Sequence, residues 1–105
     1  MPRNPLLKGL APSHPGEILR EVVLPDVRLS KVEIARRLGV SRSMLYDVLN
    51  EKSAVTAEMA LRLGRLFGNG PAFWLNLQRD YDLHRAEATV RLEDIRPLDA
   101  AGQQP

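Results

Sequence analysis

Between Ser30 and Glu51 the chain runs SKVEIARRLGVSRSMLYDVLNE, two stretches of helical periodicity joined through Gly39 and Val40 alone before the next capping residue, Ser41. That connection is too tight for an antiparallel pair, so the two helices must cross at a steep angle. Ser30 and Glu33 form an S-x-x-E capping box at the first start. Ile34, Ala35 and Leu38 supply its apolar side, and Gly39 can take the left-handed conformation that a sharp turn demands. Ser41 caps the second helix, which extends to about Asn50. Ala35 falls where the helices approach most closely. Val40, Leu45, Val48 and Leu49 then close a small core against Ile34 and Leu38. The pattern predicts a helix-turn-helix.

The flanking sequence predicts more helices and no strand-helix alternation, so the fold class is all-α with about five helices. Residues 1–12, with Pro2, Pro5, Gly9 and Pro12, form a flexible arm. A helix starts in Ser13-His14-Pro15-Gly16-Glu17, with Pro15 suited to its first position. Ile18, Leu19, Val22 and Val23 form its apolar face, and Pro25 stops it. After the loop at 51–55, Thr56 caps a helix whose buried face is Ala60, Leu61, Leu63, Leu66 and Phe67, closed by Gly68. Asn69-Gly70-Pro71 turns into a last helix carrying Phe73, Trp74, Leu77 and Tyr81 at one-face spacing. Val90, Leu92 and Ile95 before Pro97 suggest a short strand or an extended docking segment, and residues 100–105 fray. The resulting organisation is an arm at 1–12, a DNA-binding and dimerisation domain at 13–88 and a tail at 89–105.

Charge is uneven along these 105 residues. Residues 1–79 carry 12 Lys/Arg against 7 Asp/Glu, whereas residues 80–105 carry 3 against 6. A basic body and an acidic tail suit different partners. There is no cysteine, so disulfides and cysteine zinc sites are excluded. The start of the chain lacks an apolar secretory region and no apolar run could span a bilayer, which makes the cytoplasm the expected location. Catalysis is disfavoured: His14 and His84 lie at opposite ends of the domain, and Asp80 and Asp82, two apart on a helix, do not face each other. No phosphate loop or metal-ligand spacing occurs, so neither cofactor nor metal is expected.

The second helix of the motif has a polar face of Arg42, Ser43, Tyr46, Asp47 and Asn50, opposite Leu45, Val48 and Leu49. Such a helix enters the major groove of double-stranded DNA with its N-terminal residues foremost. Arg42 can donate twice to guanine, Asn50 can pair with adenine, and Tyr46 can meet a thymine methyl or a phosphate. Asp47 can accept from cytosine or orient Arg42 or Tyr46. Lys31, Arg36, Arg37, Ser41, Lys52 and Ser53 flank the unit as candidate phosphate contacts. Any amphipathic helix shows a solvated polar face, so it is the preceding turn that favours DNA. One short helix reads few bases, which implies a homodimer on an inverted-repeat operator. Trp74, Leu77 and Tyr81 are the candidate dimer contacts, with Trp74 at the boundary between core and partner.

Across residues 13–88 the chain resembles the HigA-type antitoxins, a branch of the phage-repressor-like helix-turn-helix proteins. The resemblance rests on HPGEILREVVL at 14–24, the motif at 30–51, and VTAEMALRLGRLFGNGPAFWLNLQRDYDL at 55–83, with HPGEIL and FWLNLQ the most specific. It implies a five-helix dimer that represses its own operon and neutralises a ribonuclease toxin of the RelE-like fold. The acidic tail suits a basic ribonuclease surface. A freestanding repressor without a toxin, or an interaction module that has lost DNA binding, shares the central motif; Arg36, Arg37, Arg42 and Lys52 argue against the latter.

Overall fold

The first helix begins at His14, whose backbone is extended and whose Nδ1 accepts the Gly16 N–H at 2.8 Å. The imidazole thus satisfies a donor that a helix start leaves open, and Pro15 fills a position that needs none. In the computed structural model, which describes residues 11–99, this helix (α1) is α-helical over Pro15–Ile18. It widens to a π-helical stretch at Leu19–Val23, where the Leu24 N–H bonds the Leu19 carbonyl five residues back, and ends in a 3-10 turn at Leu24–Asp26. Pro25 accounts for the change, because it has no N–H to give and crowds the carbonyl four residues earlier. The wider turn shifts the angular phase of the side chains along it. Leu19 is fully buried, but Val22, expected beside it, is 60% exposed. The arm assigned to residues 1–12 lies outside the described residues except for its last two.

Four further helices complete the fold: α2 (Lys31–Leu38), α3 (Arg42–Leu49), α4 (Ala57–Phe67) and α5 (Pro71–Thr89). Ser30, Ser41 and Thr56 each accept the N–H three residues ahead, at 3.1, 3.0 and 3.2 Å. The Glu33 carboxylate does not return to Ser30 as a full capping box would; it turns to Arg36 and Arg37. At Gly39 (φ 74°) α2 ends in a Schellman turn, with the Gly39 N–H on the Arg36 carbonyl and the Val40 N–H on that of Ala35.

One apolar core joins the helices, with Leu19, Ile34, Leu45, Leu49, Leu63 and Trp74 at its centre. Two close approaches are possible only because glycine lacks a side chain. A Cβ on Gly16 would stand 1.8 Å from the Val48 carbonyl oxygen of α3, and one on Gly64 would stand 2.3 Å from the Gly70 carbonyl carbon at the entry to α5. On α4, Met59 and Gly64 are buried, whereas Leu61, expected in the core, is 60% exposed. Val90, Leu92 and Ile95 pair with no strand among the described residues. The chain turns at Glu93 and Asp94, the Ile95 N–H bonds the Leu92 carbonyl at 3.0 Å, and all three side chains stay in solvent.

Trp74 has no exposed surface. Its ring packs edge-on against Phe73 at 5.0 Å and tilted against Phe67 at 6.4 Å, and its Nε1–H donates to Asn69 Oδ1 at 2.9 Å. It therefore lies in the protomer core and not at the boundary expected of it, since both its apolar face and its polar edge are already satisfied within one chain. Leu77 and Tyr81 remain half-buried.

Candidate nucleic-acid interface

The α3 helix is held through one side and open on the other. Leu45, Val48 and Leu49 are buried, while Arg42, Ser43, Met44, Tyr46 and Asn50 are exposed and Asp47 is half-buried. Four of the five residues expected to read bases thus share the outward side of one two-turn helix, and Asn50 follows as its C-cap. Met44, 48% exposed, joins them. Its apolar side chain gave no polar signal in the sequence, although a spacing of 100° per residue puts it on the flank of that face.

The flanking residues divide into two groups. Lys31, at the start of α2, brings its Nζ 5.8 Å from the centre of the Tyr46 ring, a cation–π contact that joins the two helices at the open face. Ser41 caps α3, and its hydroxyl is engaged with the Met44 N–H. Lys52 and Ser53 lie just past the far end of α3, where both their backbone N–H groups donate to the Asp47 carbonyl, at 2.8 and 3.1 Å. Arg36 and Arg37 are gathered by Glu33 instead. Their guanidiniums bond its carboxylate on both oxygens, and hydrogen bonds from Arg36 and then Arg37 hold that carboxyl down at about 2. Arg37 also lines a groove between α2 and α4 with Leu61, Arg62 and Arg65. The charge these two arginines offer to a phosphate is partly offset by Glu33.

Three residues that the sequence did not single out fix the unit in place. Arg62 of α4 donates Nη1 to the Leu38 carbonyl at 2.8 Å, closing the C-terminus of α2. Arg20 of α1 donates Nη1 to the Leu49 carbonyl at 2.6 Å, closing that of α3. Gln78 of α5 accepts the Val55 N–H at 2.7 Å and passes its own N–H to Asp82 at 2.9 Å, anchoring the stretch of chain that leaves α3. Each contact answers a main-chain group that helix ends and loops leave open.

A short capped helix, a left-handed glycine turn and a second short helix with an outward polar face define a helix-turn-helix protein, a class that places one helix in the DNA major groove. Comparison with known proteins agrees: the chain matches the helix-turn-helix family over residues 19–75. It is 47% identical over 74 residues to virulence-associated protein I of Dichelobacter nodosus, covering 70% of this chain and 68% of that one. The solved structure of antitoxin GraA superposes with a TM-score of 0.78 at 41% identity, over 86% of this chain and all of that one. The antitoxin HigA of Pseudomonas aeruginosa, solved with the higBA promoter, gives 0.77 at 42% identity, over 83% and 98%. The chain belongs to the helix-turn-helix family, in its branch of HigA-type antitoxins. It is a DNA-binding repressor of that kind and not an enzyme.

Proposed function

We propose that this protein is the antitoxin of a type II toxin–antitoxin module, which represses its own operon as a homodimer on an inverted repeat and neutralises a ribonuclease toxin of the RelE-like fold. The observation that carries the DNA half is the outward face of α3, exposed apart from the half-buried Asp47 while its opposite side is fully committed to the core. On this reading Arg42, Ser43, Tyr46, Asp47 and Asn50 meet base edges. Lys31, Ser41, Lys52 and Ser53 meet phosphates, and Arg36 and Arg37 do so in exchange with Glu33.

Two copies place their recognition helices in successive major grooves, roughly 34 Å apart. Leu77 and Tyr81 are the dimer contacts proposed on α5, with Leu83 (55% exposed) extending the same helix. The family supports a toxin partner, and the carboxylates from Asp80 to Asp99 suit the basic surface of a ribonuclease. All of this is the chemistry of the cytoplasm.

Co-expression with the adjacent reading frame tests the proposal. Growth should be rescued from the neighbouring toxin and the two proteins should co-purify. Operator binding without rescue or co-purification would return the protein to a freestanding repressor.

A further inference from the structure

The turn that leaves α3 is strained and is held from outside. Glu51 has φ 62°, left-handed backbone at a residue with a Cβ, and no other described residue except glycine has it. The Glu51 N–H bonds the Val48 carbonyl at 3.0 Å, and the next two N–H groups converge on the Asp47 carbonyl. These bonds set where Lys52 and Ser53 project at the end of the recognition helix.

Arg20 braces this turn. Its Nη1 donates to the Leu49 carbonyl at 2.6 Å, and both terminal nitrogens stand 3.4 Å from Glu51 Oε2. Its Nε is fixed by Glu21 Oε2 at 2.8 Å. One planar fork therefore meets a helix end, the side chain of the left-handed residue and a carboxylate of its own helix, a geometry that a lysine could not reproduce. Arg20 sits in the π-widened part of α1, 29 residues away in sequence from the carbonyl it bonds.

We infer that Arg20 is a positioning residue for DNA binding: through Leu49 and Glu51 it holds the turn that presents Lys52 to the phosphate backbone. The inference rests on the reading that Lys52 makes a phosphate contact. An arginine that merely stabilised the fold would leave the ionic character of binding untouched. One that positions a phosphate contact changes it, because each lost contact reduces the counterions released.

The test titrates a duplex carrying the operator with the full chain over a range of salt, at a temperature where circular dichroism finds every variant folded. Lys52→Ala should lower the slope of log affinity against log salt by about 1 for each protomer. Arg20→Met should lower it similarly, and the double variant should fall no further than Lys52→Ala alone. Glu51→Ala, which spares the Arg20 bonds to Leu49 and Glu21, should shift the slope in the same direction and serves if Arg20→Met does not fold. A slope lost in Lys52→Ala but kept in both Glu51→Ala and any folded Arg20→Met overturns the positioning role. A slope unchanged by Lys52→Ala removes the phosphate reading, and the positioning role with it.

Discussion

The imidazole of His14 meets the ring of Tyr81 edge-on, with centroids 5.0 Å apart, so the cap of the first helix is also a contact with the last. Burial at this junction lowers the His14 pKa from 6.5, and the nearby Glu51 and Asp82 carboxylates offset only part of that. The unfolded chain therefore takes up a proton near pH 6.5 that the folded chain refuses. Stability should be fully present above that pH and decline as pH falls through it toward the depressed folded value. Asn in place of His14 keeps a capping acceptor without titrating. Melting curves for His14→Asn should lose the part of the pH dependence just below 6.5; profiles that stay parallel to those of the unaltered protein would refute the assignment. Glu33 acts in a separate window, since its contribution is lost only as pH falls from 4.5 toward about 2.

Gly16→Ala should be severely destabilising. The added carbon would lie 1.8 Å from the Val48 carbonyl oxygen, and neither backbone can yield without moving α1 off α3. A cost of about 3 kcal/mol or more is expected in chemical denaturation, at the upper end for an overpacked site. A loss below about 1 kcal/mol would mean that the helices separate easily.

Arg62→Met tests the other helix end. It keeps most of the aliphatic stem but strips the Leu38 carbonyl of its donor. Denaturation should report a loss of about 1–2 kcal/mol, as for a partly buried acceptor left unpaired. No change would show that water replaces the guanidinium at no cost.

Two substitutions on opposite sides of α3 separate folding from recognition. Arg42 is exposed, so Arg42→Ala should melt normally yet lose about 1–3 kcal/mol of operator affinity per half-site, with relaxed preference at one base pair. Toxin rescue should survive. Val48 is 2% exposed, and Val48→Asp puts a charge in the core, so operator binding and rescue should fail together. Full operator affinity and specificity in Arg42→Ala would move the reading face elsewhere.

The features legible in the sequence are mostly local. Ser30, Ser41 and Thr56 cap helices within three residues of themselves, and Gly39 and Gly68 close helices by backbone conformation alone. Such features depend on near neighbours and can be read in order. Arg20, Arg62 and Gln78 act on carbonyl or amide groups 29, 24 and 23 residues away, and in sequence they look like ordinary surface polar residues. Val22 escapes the pattern for a different reason: a period of 3.6 does not hold through a helix that widens. Trp74 shows that aromatic spacing alone does not separate a core from an interface.

Beside the buried side chains of Leu45, Val48 and Leu49, the mount of α3 uses atoms that every amino acid possesses. Gly16 rests on the carbonyl of Val48, Arg20 grips that of Leu49, and the turn after the helix closes on that of Asp47. Among the residues that face outward, Asp47 contributes its main chain to this frame and Tyr46 adds a side-chain contact with Lys31. Side chains at 42, 43, 47 and 50 can therefore be exchanged without loosening the joint. An operator and its repressor could drift together over generations while the folded body stays the same, and the same body offers an engineer a fixed chassis for reading a new site.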